Sequence, residues 1–213
     1  MEFAEVVQGR RMCRSFKTDP VEPAVVDGLL RLAQRAPAAG NTQGWQFLVL
    51  DEAAAVTRYW EACLLSSRRD SFPWPGLLRA PVLIVPCAEA GAYLRRYSEA
   101  DKVARVATSP AERTGLGQSV DAWGVPYWLV DTAMATMTVL LGAVDAGLGA
   151  CLFGQFEHEA AVRAAFSVPA SVQPVGTIAL GWPADAKRSS GSAGHRPRPA
   201  LEQVIHRNQW RSS

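Results

Sequence analysis

Residues 127–146 constrain this chain more than any other stretch. They begin Tyr127-Trp128-Leu129-Val130-Asp131, continue through Met134, Met137, Val139, Leu140, Leu141 and Val144, and end against Gly147. The pattern predicts a helix over about Tyr127–Ala146 that is apolar on nearly every side, and such a helix must be covered on nearly every side. Its charge-free part, Thr132 to Val144, spans 13 residues, short of the ~18 that a membrane span needs. The helix is therefore expected at the centre of a globular fold, with a second subunit as part of its cover. A 213-residue chain can supply the rest, because at this size roughly 70% of the unfolded surface is buried on folding.

The flanking pattern mixes helices and strands. Helices are expected over about Phe3–Gln8, over Ala24–Arg35 with Pro23 in its first turn, and over Glu52–Leu64, Glu157–Ala165 and Leu201–Arg207. Strands are expected over Trp45–Leu50, Pro81–Pro86, Ala150–Phe153 and Val175–Leu180. Pro37 to Gly44 is small, polar and turn-rich, so it reads as a loop. Residues 98–125 show no clear periodicity and carry Pro110, Gly115, Gly117 and Gly124, which predicts a long functional loop. The stretch Ala184–Gly194 is low in complexity. Strands and helices do not alternate regularly, which favours α+β over a doubly wound sheet. A single domain over 1–213 is expected.

Several chemistries are excluded at once. Cys13, Cys63, Cys87 and Cys151 form no C-x-x-C pair, so zinc spacing and a redox dithiol lack support. His158, His195 and His206 sit in no metal motif, and no Gly-rich phosphate loop or serine elbow occurs. The acidic start, Met1-Glu2-Phe3-Ala4-Glu5, lacks the apolar stretch of a signal peptide. A cytoplasmic protein, with no membrane and no metal, is expected. The charge is unevenly placed: the formal net charge is only +2, yet 19 of the 22 basic residues are Arg, and residues 187–213 hold six basic groups against one acidic. Guanidinium forks suit phosphate better than ammonium groups do. What remains distinctive is an Arg cluster near the N-terminus, an Asn/Gln loop between helix and strand, and an Arg-x-Arg near the C-terminus.

Five segments in register carry a resemblance. They are Arg10-Arg11-Met12-Cys13-Arg14-Ser15-Phe16, then Ala36 through Phe47, Asp131 through Gly149, Gly176 through Pro183, and Arg196-Pro197-Arg198-Pro199. In order and spacing the chain resembles the nitroreductase family of flavin enzymes, and within it an Ala/Arg-rich, actinobacterial type of branch. The resemblance implies an α+β fold with a central antiparallel or mixed sheet flanked by helices, built as an intertwined homodimer with FMN at the subunit interface. It implies that Arg10, Arg11, Met12 and Arg14 serve the FMN phosphate, ribityl chain and pyrimidine side, with Arg196 and Arg198 closing over the phosphate. The loop with Pro37, Ala38, Ala39, Asn41 and Gln43 would approach the flavin from the partner subunit. Leu148 and Gly149 would lie beside the ring's reactive edge. Trp123 and Tyr127 either pack the core or dimer interface or stack on a planar substrate, and Phe72 and Trp74 are candidates for a lid. Asp131 is expected to be a structural partner in the central helix.

The chain departs from the family pattern at Met12, where a small hydroxyl residue is usual, at Ala38 for Ser, and at Gly44 for Pro. Each lost hydrogen bond is worth about 0.5–1.5 kcal/mol. The activity implied is electron transfer from NADH or NADPH through FMN to a small aromatic acceptor, nitroaromatic or quinone-like, in two alternating half-reactions. A flavin-storing protein with little turnover is the alternative. A nucleic-acid binder ranks last, since the basic tail has no interleaved aromatics and no reading helix.

Overall fold

In the computed structural model, which describes residues 1–108, 115–155, 158–184 and 196–210, an antiparallel sheet lies between two layers of helices. The strands are β1 (Trp45–Leu50), β2 (Val82–Ala88), β3 (Gly149–Phe153), β4 (Gln173–Pro174) and β5 (Thr177–Gly181). Their order is β1-β2-β5-β3, with β4 continuing the edge of β2 beyond β5. Trp45 pairs with Ala88, Ile84 with Ile178, and Cys151 with Ala179.

Because side chains alternate along a strand, β2 faces two cores. Val82 and Ile84 meet α2 (Pro23–Ala33) and α6 (Tyr127–Asp145) through Val26, Leu29, Ala135, Val139 and Ala143. Leu83, Val85 and Cys87 meet α3 (Ala53–Cys63) and α7 (Glu159–Ala165) through Val56, Tyr59 and Val162. All seven β2 residues are buried, which is why the segment reads as a continuous apolar run rather than as an alternation.

The helix α6 is the central element the sequence predicts. By length and composition alone it could cross a membrane, but it packs on α2, α1 (Phe3–Gly9) and strands β1, β2 and β3, so it is the core helix. The hydroxyls of Thr132 and Thr136 donate to the carbonyls of Trp128 and Thr132 one turn back, which satisfies them inside the helix. One face stays uncovered: Tyr127, Val130, Met134 and Met137 are exposed at helical spacing.

Ahead of α2 the N-terminal segment runs along the outer edge of β3. Cys13 N–H donates to the Ala150 carbonyl at 2.9 Å, and Lys17 N–H to the Trp182 carbonyl at 2.8 Å. Phe16 is fully buried and plugs the segment into the core.

The region expected to be an aperiodic loop contains two elements that local pattern does not reveal: α4 (Ala90–Tyr97), which lies just before it, and α5 (Ala100–Thr108) within it. Both are short, and ion pairs hold them: Arg96 pairs with Glu99 and Asp101, and Arg95 with Glu89. The last helix, α8, is a single turn, Leu201–Val204. Most of the low-complexity tail, residues 185–195, lies outside the described residues.

Asp131, 1% exposed on α6, joins three elements. Its Oδ2 accepts from the Ala39 backbone N–H and from the Tyr93 hydroxyl of α4, each at 2.7 Å. Replacing Asp131 by Ala strands both donors; hydrogen bonds to charged groups are worth about 1.5–3 kcal/mol each, so a loss of ~3 kcal/mol or more is expected in urea unfolding. Asp131→Asn, which keeps an acceptor, should cost less. Equal losses for the two variants would show that the acceptor contributes nothing.

Candidate functional site

The N-terminal basic cluster lies where it does because β3 holds its backbone. Met12 bridges to Ala150 in parallel register, and Phe16 to Pro183 in antiparallel register. The side chains of this segment open onto a cavity of about 670 Å³ that is lined by Arg11, Met12, Arg14 and Arg79, the main chain of Gly147-Leu148-Gly149, and Trp74 among others. Three guanidinium groups line this cavity and no carboxylate does, which makes it an anion site. Arg14 lies over the Trp74 ring at 5.3 Å, and Arg79 donates to the Ser15 hydroxyl at 3.2 Å. Arg10 stands beside the cluster with its Nη1 buried and without a hydrogen-bond partner.

Arg14, Pro73 and Trp74 are shared with a second cavity of about 570 Å³. Its walls are mainly aromatic: Trp60, Phe72, Trp74 and Phe153, with Trp60 and Phe153 stacked at 5.5 Å and 8° between planes. Gln155 lines it too, and also borders a shallower hollow beside Leu129 and Gly176. The two cavities form one cleft with a cationic lobe and an aromatic lobe, joined at Arg14 and Trp74. A planar molecule bearing an anionic tail matches such a cleft.

A second group of predicted residues lies on the loop between α2 and β1, away from both cavities. Pro37, Asn41 and Gln43 are exposed, while Ala38 and Ala39 are half-buried. Gly40, Asn41 and Gln43 all have left-handed backbone, with φ of 62°, 56° and 55°. That conformation is uncommon outside glycine and persists only where the surroundings enforce it. Three contacts enforce it: Ala39 on Asp131, the Gly40 carbonyl accepting from Arg96 Nε at 2.9 Å, and the Gln43 amide on Asn41 Oδ1 at 2.9 Å. A Cβ on Gly40 would lie 2.8 Å from the Tyr97 ring, so this glycine also admits a close neighbour.

Trp123 sits behind this loop, 8% exposed, with its indole N–H donating to the Leu116 carbonyl at 2.9 Å. It packs edge-on against Tyr93, Tyr97 and Tyr127. Tyr127 is exposed at the helix start. Arg196 and Arg198 are exposed on the C-terminal segment. One chain therefore brings Arg11, Met12, Arg14, Leu148 and Gly149 together in one cavity. It holds the Asn41–Gln43 loop with Trp123 and Tyr127 as a separate cluster.

The structure also explains Gly149 by packing: a Cβ there would lie 2.7 Å from Cys13 Sγ. Sequence reasoning marked Trp74 and Phe72 only as a lid, and Arg79, Trp60, Phe153 and Gln155 not at all. Each is an isolated residue in its own segment, so no spacing signal connects them. Burial pushes the Cys87 thiol up to about 11 and also raises those of Cys63 and Cys151, leaving them neutral and unreactive at pH 7. Among the described residues no cluster of three or more His, Cys, Asp or Glu could hold a metal ion.

The sequence matches the profile of the Nitroreductase family over residues 7–111 and 121–182. It is 26% identical over 211 residues to the oxygen-insensitive NADPH nitroreductase of Salmonella typhimurium, covering 97% of this chain and 73% of that protein. It is 28% identical over 211 residues to the 5,6-dimethylbenzimidazole synthase of Rhodospirillum rubrum, covering 92% and 85%. The fold is shared with a nitroreductase-type protein of Exiguobacterium sibiricum solved in complex with FMN: TM-score 0.72, 18% identity, 99% and 98% of the two chains.

The anchor of the Asn41–Gln43 loop is sensitive to acid. The Arg96 guanidinium, hydrogen-bonded to Asp101 through two nitrogens at 2.7 and 2.8 Å, holds that carboxyl down at about 2. A carboxyl depressed by folding stabilises the folded state above its unfolded value, and the contribution is lost as pH falls through the folded value. Protection of α5 amides from hydrogen exchange should therefore fall between about pH 4 and pH 2. Asp101→Asn should flatten that dependence; an unchanged profile in the variant would contradict the assignment.

Proposed function

This chain belongs to the nitroreductase family, and we propose on that basis that it is an FMN-dependent NAD(P)H oxidoreductase. Its acceptor is a small electron-poor aromatic, nitroaromatic or quinone-like, reduced in alternation with oxidation of the nicotinamide. The observation that carries this reading is the two-lobed cleft, cationic at one end and aromatic at the other. FMN fits the donor set: its phosphate is a dianion for the guanidinium groups, and its ring is a planar body for the aromatic lobe. When bound, FMN supplies the redox chemistry, accepting a hydride equivalent from NAD(P)H and passing electrons onward.

The protein's own residues bind, orient and shield. Arg11, Arg14 and Arg79 hold the phosphate end, and Arg196 and Arg198 close over it from the C-terminal segment. Arg14, packed on Trp74 where the lobes meet, sets the position of the ring relative to its tail. Met12 lines the cationic lobe with a thioether in place of a hydroxyl, so the phosphate depends more heavily on charge. Leu148 and Gly149 contribute main chain, and no acid–base side chain is required.

The site is completed by a second copy of the chain. The uncovered stripe of Tyr127, Val130, Met134 and Met137 on α6 is an apolar face of the kind that homodimers bury. Pro37, Ala38, Ala39, Asn41 and Gln43 lie on a rigid exposed loop that lines neither cavity of its own chain. In a homodimer that loop reaches the partner's cleft, with Trp123 packed behind it and Tyr127 open to a planar acceptor. We place the protein in the cytoplasm, in keeping with its four unpaired cysteines. The chain acts as one FMN-binding domain over 1–213. Flavin storage with little turnover is the second reading, favoured by Met12 and Ala38, which withhold two hydrogen bonds.

Protein purified with FMN should be yellow, and anaerobic NADH or NADPH should bleach it. Colourless protein that binds no added FMN would sink the flavin reading, and bound flavin that neither nucleotide reduces would favour storage. Arg11→Ala and Arg14→Ala should each weaken FMN binding by about tenfold or more, since charge-assisted pairs are worth about 1.5–3 kcal/mol. Met134→Glu together with Met137→Glu should convert the dimer to monomer in light scattering and lower FMN affinity with it. A wild-type chain that is already monomeric would rule out the shared site.

A further inference from the structure

The aromatic lobe holds two polar atoms that the chain itself leaves unpaired. Trp60 Nε1 and Gln155 Oε1 are both fully enclosed and have no hydrogen-bond partner, and their residues are 6% and 5% exposed. An unpaired buried polar group costs about 1–3 kcal/mol, and folded proteins seldom leave one without a reason. One of these two is a donor and the other an acceptor, and both line the same mainly aromatic cavity.

Neither side chain is loosely held. The Gln155 amide is anchored through its nitrogen: Nε2 donates to Thr177 Oγ1 at 2.9 Å, and that hydroxyl lies 2.6 Å from the Tyr59 hydroxyl. Thr177 and Tyr59 are fully buried, so the clamp lies within the core beneath the lobe. With Nε2 committed, Oε1 is left facing away from Thr177. The Trp60 indole is stacked on Phe153 and meets Tyr59 edge-on at 5.3 Å. Tyr59 therefore supports both groups, and the orientation of the unpaired N–H and C=O is set before any ligand arrives. Such preorganisation avoids an ordering cost on binding.

A ligand that satisfies both groups presents a carbonyl next to a ring N–H, the pattern of a cyclic imide or ureide. The pyrimidine ring of a flavin carries that pattern along one edge. Resting on the FMN reading above, we propose that Trp60 Nε1–H donates to a pyrimidine carbonyl of the flavin while Gln155 Oε1 accepts from its N3–H, with Thr177 and Tyr59 as positioning residues. The ring end of the cofactor is then recognised by side chains of α3 and of the segment after β3. The phosphate end is recognised separately, by arginines. A consequence is selectivity for the intact imide edge over planar aromatics of similar size. A further one is a shift in flavin potential, because a donor to a pyrimidine carbonyl stabilises the negative charge of the reduced ring.

The test uses the full-length protein and two probes, FMN and N3-methyl-FMN, with affinity read by flavin fluorescence. Wild type should bind the N3-methyl analogue at least about tenfold more weakly than FMN. Gln155→Ala should bind FMN about tenfold more weakly and lose most of that discrimination. Trp60→Phe, which keeps a stacked ring and removes only the N–H, should weaken FMN and lower its reduction potential. Thr177→Val should reproduce part of the Gln155→Ala effect. Equal wild-type affinity for the two flavins overturns the proposal without any variant, so a misfolded mutant cannot protect it. Discrimination that persists in Gln155→Ala, or a wild-type potential in Trp60→Phe, overturns the corresponding contact. A wild-type chain that binds neither flavin fails at the earlier step and overturns the cofactor reading as well.

Discussion

The buried carboxylate of Asp131 is the contact on which the arrangement of one whole side of the molecule depends. It stands on the core helix α6, accepts from Ala39 in the loop before β1, and accepts from Tyr93 on α4. A buried charge is tolerated only when it is hydrogen-bonded, so the loop and α4 cannot move away without leaving it exposed to a large desolvation penalty. The same two bonds explain how Asn41 and Gln43 persist in left-handed backbone. Burial and the bond to Asp131 also raise the Tyr93 hydroxyl well above its ordinary value, so the pair keeps one protonation pattern across the physiological range.

On the other side of the fold the ordering force is main-chain pairing. The segment from Met12 to Lys17 is held along β3 and the strand after it by backbone hydrogen bonds, with Phe16 buried as a plug. Guanidinium groups that would repel one another on a free segment are thereby held around one cavity. The cost of gathering like charges is met by backbone pairing and apolar burial rather than by neighbouring carboxylates, and the lobe stays electropositive. The aromatic lobe follows the same logic with different chemistry: a Tyr59-Thr177-Gln155 clamp in the core holds a polar group at the edge of an apolar wall.

Much of the fold was legible from local pattern. Trp45–Leu50 was bounded to the residue, and the ends of α2, α3 and α6 were within two residues of the observed helices. These elements are long or strongly periodic, and burial of one face rewards the periodicity directly. The helices α4 and α5 were not legible. They are short and carry few apolar positions, and ion pairs hold them to one another and to the loop at Gly40. Of the cleft, Arg11, Met12, Arg14, Leu148 and Gly149 were legible by resemblance. Arg79, Trp60, Phe153 and Gln155 were not, because nothing local distinguishes a wall residue from any other core or loop residue.

By itself the sequence determined an apolar helix that needs cover, strands that alternate or are wholly buried, and arginine concentrated near the chain ends. All of these follow from composition and from periods of two or 3.6 residues, which a chain expresses segment by segment. Only the tertiary structure decided that Asp131 meets Ala39, 92 positions away, and that Arg79 meets Ser15, 64 positions away. It also decided that Arg14 and Trp74 stand where two cavities join. The physical reason is that a one-residue change of strand register would turn every side chain to the other face. The register is chosen by the packing of both cores together, which no single segment encodes.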